Sequence, residues 1–289
     1  MTFDEAALPL RGGPAHIGVA LKYSPLRVEV NPLTGAVSSD ARLAGASPAD
    51  EAALEHALRL ADRWEWDVVV ATTGSRRCEP MLRAALACGA SRAVRVDLAP
   101  DAASPIVAAA LSEALAGCTL VVCGDHSLDG GTGSVPAFLA AQRGAGQALG
   151  LVRLTALGMG RLQAERRLDG GRRERLRVST PAVISVEPGG VRLRRATLPA
   201  VLRARTLPVE LLPPPVPYSQ DPAVGTRRPY RPRPKTLSAP ACALDARERV
   251  LMLTGALAER RTPAVVRTTD PDRAADALLG FLRERGYLT

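Results

Sequence analysis

Thr119-Leu120-Val121-Val122-Cys123-Gly124-Asp125-His126-Ser127-Leu128-Asp129-Gly130-Gly131-Thr132-Gly133-Ser134-Val135-Pro136 is the stretch that decides the fold. The apolar run from Thr119 to Cys123 reads as a strand buried on both faces, as strands of a parallel sheet are. It breaks into a turn containing Gly124, Gly130, Gly131 and Gly133, and a helix is predicted from Pro136 onward. Strand, glycine-rich loop and helix start together make a cradle for an anion. Glycine lets backbone N–H groups approach closely, and the helix N-terminus adds a partial positive charge. The loop is neither G-x-G-x-x-G nor a Walker A sequence, which argues against a P-loop NTPase. Taken alone, the stretch also fits a connection that binds nothing.

The pattern repeats upstream. Strands are predicted at Ile17–Ala20, Asp67–Ala71, Ala93–Asp97 and Leu120–Cys123, with a short hairpin at Val28–Asn31 around the turn Pro32-Leu33-Thr34-Gly35. Between them, Pro48–Asp62 carries alanine and leucine at helical spacing, opened by Ser47 as N-cap and Pro48 at the first helical position. Cys78–Ala87, stopped by Gly89, and Pro105–Leu115 are the next helices. Strands alternating with helices imply an α/β fold, a doubly wound, Rossmann-like parallel sheet covered on both faces.

After Leu151 the character changes. Arg161–Leu168 and Arg173–Ser179 read as two alternating strands around Asp169-Gly170-Gly171, a β-hairpin insertion with one polar face. Pro181–Val186 reads as a buried strand and Thr197–Arg205 as a short helix. From Pro208 to Pro240 prolines dominate, which suits an extended arm lying across a partner or, equally, a linker. Helices at Ala243–Leu257 and Pro271–Gly286 close the chain. The expected organisation is a flexible stretch over 1–15, a nucleotide-binding α/β domain over 16–206, and a Pro-rich arm with C-terminal helices over 207–289, docking on a partner subunit.

Composition narrows the function. Hydrophobic residues make up 46% of 289, and mean hydropathy is +0.02. No apolar run reaches the roughly 18 residues that span a bilayer, and the first residues lack the apolar core of a secretory signal, so a cytoplasmic protein without membrane insertion is expected. The five cysteines have no metal-ligand spacing and read as reduced thiols, several in the core. The net charge of +9 comes almost wholly from arginine, since Lys22 and Lys235 are the only lysines. Arg166-Arg167, Arg172-Arg173 and Arg227-Arg228 would suit a polyanion, but aromatic residues are only 3% and no nucleic-acid-binding motif is present, so no nucleic-acid partner is expected.

Taken in order, these features resemble the β subunit of an electron transfer flavoprotein. The resemblance is carried by Val19-Ala20-Leu21-Lys22 after the first strand, by the helix start Ser47-Pro48-Ala49-Asp50-Glu51-Ala52-Ala53-Leu54-Glu55, and by Ala85 to Ala93 (ALACGASRA). It continues through the loop from Gly124 to Gly131, Asp169-Gly170-Gly171 followed by Pro181-Ala182-Val183, and the segment Arg194-Arg195-Ala196-Thr197-Leu198-Pro199-Ala200-Val201-Leu202-Arg203-Ala204. The matches span residues 16 to 206. The arm and Arg247–Leu257 further resemble a divergent branch associated with mycofactocin redox systems.

The resemblance implies a heterodimer with an electron transfer flavoprotein α-type subunit that accepts electrons from a flavin dehydrogenase and passes them on. FAD is then held mostly by the α-type subunit, and AMP sits in the cradle as a structural ligand. Ala20 and Ser47 would lie near the adenosine, and Cys123, Gly124, Asp129, Thr132, Gly133, Ser134 and Val135 around the phosphate, with Lys22, Gly130 and Gly131 counted to the same site. Leu198 would anchor the dehydrogenase, flanked by Arg195 and Thr197; as an alternative it is an ordinary core residue at a helix start.

Several positions depart from the family pattern. Ser47 replaces asparagine, Ala49 an aromatic residue, Asp125 a basic residue and Gly131 an acid. His126 is expected as a loop residue bonded to backbone, or else as a group titrating near neutrality. His16 and His56 read as a strand-edge and a helix-surface residue. No nucleophile–base set or carboxylate pair stands out, so a carrier without bond-making chemistry of its own is expected. The competing reading is a stand-alone adenine-nucleotide-binding regulatory module.

Overall fold

A computed structural model describes residues 16–215, 245–254, 265–268 and 270–284. The expected flexible stretch 1–15, residues 216–244 of the proline-rich arm, and Cys242 lie outside the described residues.

Strand β1 (His16–Ala20) leads into a small insertion of paired short strands, β2 (Ser24–Pro25), β3 (Val28–Val30), β4 (Val37–Ser39) and β5 (Ala44–Gly45). β3 and β4 are the predicted hairpin, its turn closed by the Gly35 amide on the Asn31 carbonyl at 2.8 Å. Helix α1 (Pro48–Trp64) begins where the sequence places it. The Ser47 hydroxyl accepts from the Asp50 amide and the Asp50 carboxylate accepts from the Ser47 amide, a reciprocal cap that satisfies two otherwise orphaned donors.

The chain then alternates: β6 (Asp67–Thr73), α2 (Glu79–Cys88), β7 (Arg92–Val96), α3 (Ser104–Ala114), β8 (Cys118–Gly124) and α4 (Val135–Arg143). α2 stops at Gly89, whose φ of 124° any side chain would strain. Three antiparallel strands follow, β9 (Gly146–Gly158), β10 (Arg161–Arg167) and β11 (Arg173–Ser179), then the buried strand β12 (Ala182–Val186), the short helix α5 (Leu198–Ala204) and β13 (Glu210–Leu212).

All but the four insertion strands form one nine-stranded sheet in the order β11-β10-β9-β12-β8-β1-β6-β7-β13. Every pairing from β9 across to β13 is parallel, and only β9–β10 and β10–β11 are antiparallel. Side chains alternate across it: Ile17, Val19, Val68 and Val70 join α1 and α2 in one core layer, while Ala20, Val69 and Ala71 join α3 and α4 in the other. The fold is a doubly wound α/β sheet.

Two strands of the main sheet differ from the sequence expectation. β9 was not foreseen, because Gly146–Gly158 is rich in glycine, alanine and leucine, residues with little preference for extended backbone. Its state is imposed by β12 on one side and β10 on the other. The proline-rich stretch, expected to leave the domain after residue 206, first donates β13 to the sheet edge, parallel to β7, with Arg92 donating to Glu210 at 2.9 Å from Nε.

By contacts the chain divides into residues 1–231 and 232–289. The second unit contains α6 (Ala246–Leu253), capped by Asp245 on the Glu248 amide at 2.7 Å, and α7 (Pro271–Glu284), which exposes Leu278, Leu279 and Phe281. Both fall within the predicted helices Ala243–Leu257 and Pro271–Gly286.

Candidate functional site

From β1 the chain builds outward through β6 and β7, then crosses back to place β8 on the other side of β1. The strand order therefore reverses between β1 and β8, and in open α/β sheets the crevice at the carboxyl ends of such strands is where ligands bind. Ala20 ends β1 and Gly124 ends β8, so the glycine-rich loop, Lys22 and the first turn of α1 meet at this switch point.

The loop is held from within and from across the switch point. Lys22 Nζ donates to Asp129 Oδ1 at 2.7 Å and to Ser127 Oγ at 3.5 Å. The Gly130 amide donates to the same Asp129 oxygen at 2.6 Å, and the Gly131 amide to Ser127 Oγ at 3.3 Å. Burial works against the Asp129 charge, but the bonds from Lys22, Ser127 and the Gly130 amide outweigh it and hold the carboxyl below its ordinary range. Gly133 has φ +60°, and a Cβ there would lie 2.7 Å from the Asp125 carbonyl oxygen, so the loop closes only with glycine.

One place in this loop offers uncommitted donors to an anion. Among the described residues the amides of Thr132 and Gly133 donate to no protein acceptor. Ser134 makes no side-chain cap on α4, which leaves the helix start open beside them. Against an anion stands the carboxylate of Asp125, which His126 Nδ1 approaches at 2.8 Å, so His126 bonds to a carboxylate and not to backbone. Lys22 is already committed to Asp129.

Beneath the loop lies a buried carboxyl. Asp50 accepts from the Ser47 hydroxyl at 2.8 Å and from the Ser47 amide at 3.1 Å, and a Cβ at Gly124 would come within 3.1 Å of Asp50 Oδ1 and of Ala49 Cβ. Glycine at the end of β8 thus lets the strand run hard against the first turn of α1. Burial pushes the Asp50 carboxyl up to about 6 in spite of the bonds from Ser47 and Lys22. Ser47 is itself buried and reaches the site through this cap. The Cys123 thiol points into the α3–α4 core layer, where burial pushes it up to about 12, so only its main chain borders the loop. Cys78, Cys88 and Cys118 are also free thiols.

Sequence reasoning missed the clamp on the second candidate segment. Glu55, 4% exposed in α1, accepts from the Arg194 amide at 3.0 Å and from Arg194 Nε at 3.1 Å, while Arg59 Nε donates to its other oxygen at 2.7 Å. Arg194 also reaches Asp62 at 3.0 Å. Beyond the helix, Arg83 donates to the carbonyls of Ala204, Arg205 and Leu207. Between these fixed ends Thr197 caps α5, and Leu198 is 71% exposed, which removes the core reading of that residue. Arg195 and Thr197 are exposed beside it. The signal available in sequence was the glutamate itself, on the otherwise apolar side of α1. His56, expected on the helix surface, is buried, because α1 is covered over most of its circumference; burial drives its imidazole down to about 4.

Among the described residues no helix is long and apolar enough to cross a membrane, and no group of His, Cys, Asp and Glu side chains is placed to hold a metal ion. The sheet order, with a glycine-rich loop at its switch point, defines a doubly wound α/β domain. The electron transfer flavoprotein domain family matches residues 36–217. The chain is 31% identical over 202 residues to protein FixA of Rhizobium meliloti (strain 1021), covering 65% of this chain and 69% of that protein. It is 28% identical over 196 residues to the electron transfer flavoprotein subunit beta of Homo sapiens, covering 65% and 76%. The mitochondrial electron transfer flavoprotein subunit beta of Oryza sativa subsp. indica is 30% identical over 196 residues, with 65% and 77% covered. The chain belongs to the electron transfer flavoprotein family and is a β-type subunit.

Proposed function

We propose that this chain pairs with an electron transfer flavoprotein α-type subunit and relays electrons from a flavin dehydrogenase to a downstream acceptor. The observation that carries this reading is Leu198: a large apolar side chain held out to solvent on a helix fixed at both ends, by Glu55 on Arg194 and by Arg83 on the carbonyls after Ala204. A rigid, exposed apolar anchor costs little entropy to dock, which suits repeated encounters with a donor protein. The similarity to β-type subunits from bacteria, plant and human supports the pairing.

FAD, carried mainly by the α-type subunit, supplies the electron chemistry when bound. On this reading AMP occupies the switch-point cradle. The free amides of Thr132 and Gly133 and the start of α4 take its phosphate, and Lys22, Asp129 and Ser127 keep the loop in shape. The mycofactocin-associated branch belongs to the same reading and rests on the resemblance of Arg247–Leu257.

The test is a visible absorption spectrum of the chain purified alone and after co-expression with an α-type subunit from the same organism. Flavin absorbance appearing only in a one-to-one complex supports the reading. A colourless chain that ignores that subunit yet retains adenine nucleotide would turn the assignment to a stand-alone nucleotide-binding module.

A further inference from the structure

Beyond residue 151, strand β9 loses one of its two neighbours. β12 follows it only to Val186, opposite Leu151, and the last rung is the Glu187 amide on the Leu151 carbonyl at 2.9 Å. From residue 153 to 156 β9 is paired with β10 alone, and the Val152 carbonyl before them lies against Gly190. Its other edge opens into a groove of about 970 Å³ walled by α1 and by the 187–191 loop. An unpaired strand edge is a row of main-chain donors and acceptors waiting for another strand.

The groove is also cationic in a specific way. Its two acids are already taken, Asp62 by Arg194 and Glu187 by Arg167. Arg63 from α1 and Arg153 from β9 line the same groove, and among the described residues neither has a carboxylate partner. No Phe, Tyr or Trp lines it, so it lacks the large aromatic platforms on which successive bases stack.

We propose that an extended acidic segment of the α-type subunit adds as a strand along residues 153–156 of β9 and sets its carboxylates on Arg63 and Arg153. This rests on the heterodimer reading above. Main-chain bonds to the edge supply affinity, and the two arginines select acidic side chains and register. Charge complementarity of this kind speeds association and makes it sensitive to salt.

The experiment titrates the full-length chain with its α-type subunit at rising ionic strength, for the unaltered protein, the charge reversal Arg63→Glu/Arg153→Glu, and the neutral pair Arg63→Gln/Arg153→Gln. The expected result is a Kd raised at least ~10-fold at low salt by the reversal, less by the neutral pair, with a shallower salt dependence in both. Amide exchange at residues 153–156 should slow at least ~10-fold in the unaltered complex. Unchanged affinity in both variants, or exchange that slows elsewhere but not at 153–156, overturns the groove while leaving the heterodimer intact. An unaltered chain that does not bind the α-type subunit overturns both. Binding of a single-stranded oligonucleotide that is lost on charge reversal assigns the groove to nucleic acid instead.

Discussion

Glu55 binds Arg194 through two groups at once, the main-chain N–H at 3.0 Å and the guanidinium Nε at 3.1 Å, across 139 residues of sequence. Burial disfavours the Glu55 charge, yet the bonds from Arg59 and Arg194 hold its carboxyl below the ordinary range. The contact ties the middle of α1 to the segment that presents Leu198. Since the first turn of α1 also borders the cradle, one helix positions both candidate sites.

Replacing Glu55 with alanine should therefore cost about 1–3 kcal/mol, because it strands the Arg194 amide and removes an acceptor for two partly exposed arginines. Glu55→Gln keeps one acceptor oxygen and should cost less. Urea unfolding midpoints would check the order, and faster amide exchange across 194–204 in Glu55→Ala would show that the segment is released. Equal stability in all three proteins would remove the clamp.

Leu198→Ala should leave stability within about 0.5 kcal/mol, since the side chain is already in solvent. On the proposed function it should slow flavin reduction by the cognate dehydrogenase several-fold while leaving reduction by dithionite alone. A normal rate with the dehydrogenase would defeat the anchor role.

Gly133→Ala places a methyl group 2.7 Å from the Asp125 carbonyl at a φ of +60°. The loop must shift or strain, at a cost of roughly 1–3 kcal/mol. On the proposed function, adenine nucleotide held in the cradle should be lost on gel filtration of the variant; full retention of nucleotide would refute the cradle geometry.

Asp50 and His56 sit in one helix and drive stability in opposite directions with pH. Asp50 titrates at about 6 when folded and near 3.8 unfolded, so in that interval the folded state holds the extra proton and this group's stabilisation is lost as pH rises through 6. His56 titrates at about 4 when folded and near 6.5 unfolded, so its contribution is present above 6.5 and is lost as pH falls through 4. Between pH 4 and 6 the two nearly cancel. Asp50→Asn should expose a stability that rises with pH, and His56→Gln one that falls with pH, each by up to about 1.4 kcal/mol per unit. Chemical denaturation at half-unit pH steps measures both slopes. Parallel slopes in the two variants would contradict the assignment.

The sequence by itself determined the elements whose signals are local. Ser47 with Asp50 wrote the start of α1, Gly89 the end of α2, Asp169-Gly170-Gly171 the hairpin turn, and Thr119 to Val135 a buried strand running into a glycine loop. Each depends on residues a few positions apart, so each can be read without knowing where the chain goes next. Only the tertiary structure decided what depends on distant partners. β9 and β13 are strands because β12, β10 and β7 offer them edges, not because their residues prefer extended backbone. His56 is buried because other elements cover α1. The pairs Lys22–Asp129 and Glu55–Arg194 bring together residues more than a hundred positions apart, and a charge in sequence carries no address for its partner. Which arginines remain unpaired, and so free for another protein, was settled only when folding had used up the acids.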